Sequence, residues 1–230
     1  MKPEERWQRE NYAVSHTRLR QVATLVQTQQ PGTVMDLGCH NGQLSQLLPG
    51  IAYTGVDFVQ HGDPAFPFFR CNFNEGPLPE LVPSADVVVA SGLLEYVEDL
   101  PRFLRSVRDH INPGGILVAT YFNMNHISRL AGLMLGRSFS VHPDWRGFHS
   151  PRDFGRLLNE AGFVVERRVA SSSSVRVPVE LRQAADTAVH LREVRPWSLW
   201  LAQQLIYVAR PAVPAEVAAG APAEDAPRVV

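Results

Sequence analysis

Hydrophobic residues between Thr33 and Val169 fall into short apolar runs separated by amphipathic stretches. Residues 33–37, 51–58, 85–90, 116–121 and 163–169 read as strands, with a shorter one at 68–71. The run Val87-Val88-Val89 is apolar at consecutive rather than alternate positions, which predicts a strand buried on both faces, as in a parallel sheet. Helical spacing appears between the strands. Residues 43–48 open a helix, and 100–111 place Leu100, Phe103, Leu104, Val107 and Ile111 on one stripe before Pro113-Gly114-Gly115 stops it. Ser150 is an expected N-cap for a helix through Ala161, with Pro151 in its first turn and Gly162 just past its end. Upstream, residues 7–26 read as an amphipathic helix carrying Tyr12, Val14, Leu19, Val22, Leu25 and Val26. Downstream, a helical stretch near 179–191 precedes a last strand at 205–209. The alternation predicts an α/β fold, closed by the strands at Phe163 and Leu205 pairing with each other.

The 230 residues fit one domain, expected over 1–210, with residues 122–148 as an insertion or lid. From Pro211 to Val230 the composition collapses to Ala, Pro, Val and Glu without periodicity, which predicts a disordered tail. A formal net charge of -1 supplies no global field for nucleic acid or an anionic membrane, and no N/D-P-P-Y/F tetrapeptide is present, so no nucleic-acid partner is expected. Only Cys39 and Cys71 occur, as in a reducing compartment. The first residues lack the basic-then-apolar layout of a signal peptide, and no apolar run is long enough to span a bilayer. A cytoplasmic protein without an integral membrane segment is expected. The sequence leaves its oligomeric state open.

The informative segment is Asp36-Leu37-Gly38-Cys39-His40-Asn41-Gly42. A strand ends in a glycine-containing loop that opens a helix, so backbone N–H groups face whatever fills the crevice. Asp57, fifteen residues after Gly42, ends the second strand, where an acid accepts hydrogen bonds from ribose hydroxyls in doubly wound folds. The dinucleotide pattern G-x-G-x-x-G fails, because His40 and Gln43 stand where its second and third glycines would be. No Gly-Lys-Ser/Thr follows, so a phosphate-cradling loop is also excluded. A ligand with adenine and ribose but no phosphate fits.

These residues resemble the first motif of class I methyltransferases dependent on S-adenosylmethionine (SAM), usually D-x-G-C-G-x-G. The resemblance continues through Gly55-Val56-Asp57, Ser91-Gly92-Leu93-Leu94-Glu95-Tyr96-Val97, Asn112-Pro113-Gly114-Gly115, Phe148-His149-Ser150-Pro151 and Leu158-Asn159-Glu160-Ala161-Gly162-Phe163. It is of the bacterial small-molecule methyltransferase type. It implies a Rossmann-like, mostly parallel seven-stranded sheet flanked by helices, the last strand antiparallel, and SAM as cofactor. Position by position, it implies that Gly38, Cys39, His40 and Gly42 shape the loop around the methionine part of SAM, with Asp36 at its ammonium. Asp57 would take the ribose hydroxyls, with Phe58 beside the adenine. Asn72 and the Phe73 N–H would meet the adenine edge. Ser91, Gly92 and Leu93 would line the floor near the sulfonium. His40 replaces the middle glycine of the motif, Tyr96 a frequent His and Asn72 a frequent Asp.

Methyl transfer to a small molecule by in-line displacement chiefly requires alignment, with a base needed only for a weak nucleophile such as a hydroxyl. The expected acceptor is a hydroxyl of a sugar, lipid-linked or secondary metabolite. Catalytic candidates are His149, Tyr96 and Glu95. Tyr121, Asn123, Asn125, His126 and His142 also fall after strand ends, with Asn123 and Asn125 read as turn formers and His126 as a cap or surface residue. Cys39 reads as a small buried hydrophobe, and no cluster has metal-ligand spacing. Residues 127–139 read as a lid, an acceptor wall or a core helix. Two competing readings are a SAM-fold accessory or binding protein without activity, and a nicotinamide-dependent oxidoreductase, the latter disfavoured by the missing third glycine.

Overall fold

The structure is a computed structural model that describes residues 17–136, 144–147, 149–171, 191–194 and 196–213. The expected N-terminal helix before Thr17 (with Tyr12), His142, Phe148, most of the helical stretch near 179–191 and the tail beyond Val213 lie outside the described residues. The helices are α1 (Thr17–Thr28), α2 (Gln43–Gln46), α3 (Leu100–Asp109), α4 (Ile127–Met134) and α5 (Pro151–Glu160). The strands are β1 (Thr33–Leu37), β2 (Ala52–Asp57), β3 (Phe68–Arg70), β4 (Ala85–Ala90), β5 (Ile111–Phe122), β6 (Phe163–Ala170), β7 (Arg192–Glu193) and β8 (Gln204–Pro211). They form one sheet in the order β3-β2-β1-β4-β5-β8-β6-β7. From β3 to β5 the neighbours run parallel, while β8 lies antiparallel between β5 and β6. This is the anticipated Rossmann-like sheet of seven strands, with the two-residue β7 added at its edge.

Consecutive apolar residues are explained by the two covered faces. Val87 and Val89 of β4 pack with Val22, Leu25 and Val26 of α1, while Val88 and Ala90 pack with Phe103, Leu104 and Val107 of α3. Strands β5 and β8 divide in the same way: Val118 and Ile206 join the first side, Leu117 and Tyr207 the second, with Phe154 and Leu158 of α5. Each such side chain, fully withdrawn from water, contributes roughly 1.5–3 kcal/mol before chain entropy is counted. The caps follow the sequence closely. Asp99 accepts from the Arg102 N–H at the start of α3. Ser150 Oγ accepts from the Asp153 N–H, and Gly162 closes the α5 end at φ 84°.

Two boundaries and the burial of one helix differ from expectation. Strand β5 begins at Ile111 rather than Ile116, because Asn112-Pro113-Gly114-Gly115 forms an irregularity within the strand instead of a separating turn. Asp86 stabilises this junction, accepting from the Asn112 side chain and from the Gly32 and Thr33 N–H groups, and these bonds hold its carboxyl below the ordinary carboxylate range. Strand β8 runs to Pro211, which pairs opposite Phe163, so ordered backbone extends past the expected start of the tail. Helix α4 is not a core helix: Ile127, Leu133 and Met134 are exposed.

Candidate active site

Parallel strands bring every cofactor candidate to one end of the sheet. After β1 the backbone turns left-handed at alternate positions, Gly38 (φ 72°), His40 (φ 50°) and Gly42 (φ 74°). The His40 conformation is the one a glycine would adopt without strain. Close packing makes glycine necessary at Gly42, where a Cβ would overlap the Phe66 ring. Leu93, from the β4 end, packs within 3.3 Å of where a Gly38 Cβ would stand. Cys39 is buried, and burial pushes its thiol well above the ordinary range, as befits an inert hydrophobe rather than a nucleophile.

Asp57 at the tip of β2 ties this loop down: its Oδ2 accepts from the His40 N–H at 2.7 Å and its Oδ1 from the Phe58 N–H at 2.6 Å. Each oxygen keeps a further lone pair for a ligand hydroxyl. The Phe58 ring is half exposed, with the Arg70 guanidinium 5.7 Å from its centroid. The His40 ring stacks on His61 at 4.0 Å. Asn72 is engaged within its own turn, its amide donating to Glu75 and its oxygen accepting from the Asn74 N–H. The Phe73 side chain belongs to the core, against Phe103, so a role at an adenine edge would fall to its backbone.

At the amino-acid end of the crevice, Asp36 is buried and accepts from the Tyr53 hydroxyl. Burial pushes its carboxyl up to about 7, with the Tyr53 bond opposing, the Asp57 charge adding and Arg18 opposing. Arg18 was not singled out in the sequence, yet it is buried in the first turn of α1, beside Gly92 and within electrostatic reach of both Asp36 and Glu95. The signal was available: Arg18 sits on the stripe of Val22, Leu25 and Val26, and a charge on an apolar stripe needs a partner or a ligand.

Ser91 Oγ is buried with no hydrogen-bond partner among the described residues, while the neighbouring Gly92 N–H donates to Thr120 Oγ1 at 2.8 Å. Glu95 lies in the 3-10 turn Leu94–Tyr96, almost wholly buried. Its Oε1 accepts from the Phe122 N–H at 2.9 Å, and its Oε2 is buried with no hydrogen-bond partner among the described residues. Burial pushes the Glu95 carboxyl up to about 7 against the lowering pull of backbone N–H bonds and Arg18. Burial, helped by the Glu95 charge, raises the Tyr121 hydroxyl, which donates to the Gly147 carbonyl. The His149 ring lies 5.8 Å from the Tyr121 ring, and burial lowers the basicity of its imidazole. Tyr96 is half-buried, its ring meeting Trp145 edge-on at 6.5 Å.

Other candidates sort to structure. Asn123 is buried and donates to the Leu199 and Ala202 carbonyls while its oxygen accepts from the Asn125 N–H, as a turn former does. His126 is buried, not on the surface; its carbonyl accepts from the Arg129 and Leu130 N–H groups and so caps α4. Among the described residues no cluster of His, Cys, Asp and Glu could hold a metal ion.

The residues present suit the methionine-and-adenosine shape of SAM. A left-handed glycine loop, an acid at the tip of β2, a buried Asp36 within electrostatic reach of Arg18 and a buried Ser91 hydroxyl with no partner among the described residues lie at one end of the sheet. Fold and crevice together define a doubly wound nucleoside-binding α/β protein. The chain belongs to the methyltransferase-domain family, whose model matches residues 6–167, and it carries the fold of class I SAM-dependent methyltransferases. It is similar to a trans-aconitate 2-methyltransferase of Deinococcus radiodurans, 31% identical over 47% of this chain and 45% of that one. A ubiquinone biosynthesis O-methyltransferase of Azorhizobium caulinodans is 27% identical over 68% of each. Among solved structures, a Burkholderia thailandensis 1,6-didemethyltoxoflavin-N1-methyltransferase with bound 1,6-didemethyltoxoflavin and S-adenosylhomocysteine matches with a TM-score of 0.56 and 16% identity, over 86% of this chain and 80% of that one. The chain thus spans less than half of the first relative's length. No helix among the described residues is long and apolar enough to cross a membrane.

Proposed function

We propose that this enzyme methylates a hydroxyl of a small molecule, with the acceptor entering beside the ends of β4 and β5. The observation that carries the reading is the grouping of Glu95, Tyr121 and His149 past the ends of β4 and β5. A bound SAM supplies a methyl group activated by its sulfonium. The protein's part is placement. The loop from Gly38 to Gly42, Cys39 and His40 included, and the Asp36–Arg18 pair hold the amino-acid end, Arg18 meeting its carboxylate and Asp36 its ammonium. Asp57 holds the ribose hydroxyls, with Phe58, Asn72 and the Phe73 backbone at the adenine. Ser91, Gly92 and Leu93 set the depth of the reacting centre.

His149 takes the acceptor's proton. Its lowered basicity keeps the imidazole neutral and able to accept at neutral pH. Glu95 braces the β5 end and offers its second oxygen to the acceptor, and Tyr96 forms part of the acceptor wall. The O-methyltransferase name of the Azorhizobium relative supports an oxygen acceptor.

Incubation with radiolabelled SAM and fractionated metabolites tests this. Wild type should label a small-molecule fraction; His149→Ala should lose about 100-fold in rate with unchanged donor affinity. Asp57→Ala should bind SAM at least about tenfold more weakly, by leaving ribose hydroxyls unpaired. Tight SAM binding with no labelled product in any fraction would instead favour an accessory protein without transfer activity.

A further inference from the structure

Strand β2 sends Tyr53 to the α1 side of the sheet, where it joins the cluster of Leu25, Val34 and Leu44. In the parallel register Tyr53 stands opposite Val34, and Gly55 opposite Asp36. Side chains two apart on a strand share a face, so Tyr53 and Asp36 lie diagonally on the same surface of the sheet. The missing Cβ of Gly55 makes room between them. Phe66 fills that room, 2.6 Å from where the Cβ would stand, and its ring meets the Tyr53 ring edge-on at 4.8 Å. Tyr53 is only 7% exposed, and its hydroxyl donates to Asp36 Oδ2.

A phenylalanine at this place would fill the same space with no polar group to satisfy. A buried phenol is costly unless bonded, and its partner here is a carboxylate whose charge burial disfavours. Two groups that are each expensive to bury stand together at the end of β1, below the loop from Gly38 to Gly42. The charged and titratable groups facing Asp36 are Arg18 from α1, Tyr53 and Asp57 from β2, and Cys39 from the loop, while Glu95 past β4 shares Arg18. Burial keeps the Cys39 thiol and the Tyr53 phenol protonated. The phenol is thus a fixed donor, and its bond favours the Asp36 carboxylate against burial and the Asp57 charge.

We propose that Tyr53 is a positioning residue for the methyl donor: its hydroxyl holds Oδ2 of Asp36, which leaves Oδ1 turned to the donor's ammonium. This rests on the reading of the crevice as the donor site, with Asp36 at that ammonium. A carboxylate pinned through one oxygen cannot rotate freely about its Cβ–Cγ bond, so its orientation is set before the donor arrives.

Calorimetry of the full chain with S-adenosylhomocysteine, across roughly pH 6 to 9, tests the proposal on Tyr53→Phe, which keeps the ring against Phe66 and removes the hydroxyl. Losing a bond that favours the carboxylate moves the Asp36 titration upward. The variant should therefore bind about tenfold more weakly near the acid end and come within about twofold of wild type at the alkaline end. Glu95 titrates in both proteins, so the difference between the two curves reports Asp36. Replacing tyrosine by 3-fluorotyrosine makes the phenol a stronger donor at nearly the same shape and should move the curve the other way. That protein carries the test if circular dichroism shows Tyr53→Phe unfolded, and an unmoved curve in it overturns the proposal. A deficit in Tyr53→Phe that is equal at every pH, or no deficit, assigns Tyr53 to packing alone and overturns it too. Absent binding in wild type, or a pH dependence that Asp36→Asn keeps, instead removes the donor reading of Asp36 and the proposal with it.

Discussion

Glu95 has two oxygens in unequal circumstances. One accepts from the Phe122 N–H, while the other is buried with no hydrogen-bond partner among the described residues. In the unfolded chain the side chain titrates near its ordinary 4.5, but burial moves it to about 7 in the fold. Because the folded value is raised, the folded protein holds the proton more tightly across that window. The corresponding stability is complete below about 4.5 and is lost as pH rises through about 7. The difference is on the order of 3 kcal/mol for so buried a group. Glu95→Gln keeps an acceptor for the Phe122 N–H and cannot ionise. Urea unfolding at a series of pH values should show the variant gaining on wild type from about pH 5 to 8, by on the order of 1–3 kcal/mol. A stability gap that stays constant with pH would mean that Glu95 does not ionise against burial.

Among the elements, the loop from β1 into α2 concentrates local strain. Gly42 combines a left-handed backbone with contact against Phe66, whose ring also lies 2.6 Å from where a Gly55 Cβ would stand. Gly42→Ala should therefore cost about 1–3 kcal/mol, from an unfavourable φ and a clash together. Adding Phe66→Ala removes the clash but not the φ cost. Relative to Phe66→Ala alone, the alanine at Gly42 should then cost only about 1 kcal/mol, measurable by thermal unfolding in a double-mutant cycle. Equal costs in both backgrounds would locate the whole effect in the backbone. This loop was readable in the sequence because its determinants are adjacent: a strand, glycines and a helix start within ten residues, with Asp57 one strand later. The Val87–Val89 run likewise announced a strand buried on both sides. Other features depend on partners remote in sequence. Arg18 acquires meaning only when β1 and β4 bring Asp36 and Glu95 beside α1. Asn112-Pro113-Gly114-Gly115 reads locally as a stop, and only pairing with β4 and the Asp86 bonds fold it into β5. His126 resembles a surface cap until Leu199–Leu201, distant in sequence, covers it; the 3-10 segment Pro196–Leu201 had no periodicity to reveal it.

At the scale of the molecule, the sheet does two jobs through one feature, its parallel register. Covered faces on both sides make the scaffold rigid, and the shared direction of β1, β2, β4 and β5 collects their polar ends at one rim. Helix α1 belongs to both jobs, since it buries Val22, Leu25 and Val26 against the sheet while Arg18 reaches the rim. Donor binding should therefore be linked to protonation. In the free protein Asp36 titrates at about 7, so it is largely protonated at pH 5.5 and largely ionised at 8. A donor ammonium seated beside it favours the carboxylate, so binding releases a proton, and affinity must rise with pH until Asp36 is ionised without help. A pairing of Arg18 with the donor carboxylate, as proposed, would contribute no such slope, because a guanidinium stays charged throughout. Calorimetry with S-adenosylhomocysteine should show affinity increasing about tenfold between pH 5.5 and 7.5, with proton release seen as a dependence of the measured enthalpy on buffer ionisation. Asp36→Asn should flatten that slope while retaining measurable binding. A slope that survives in Asp36→Asn would transfer the proton to Glu95, the other raised carboxyl facing Arg18, and the same titration on Glu95→Gln would decide it.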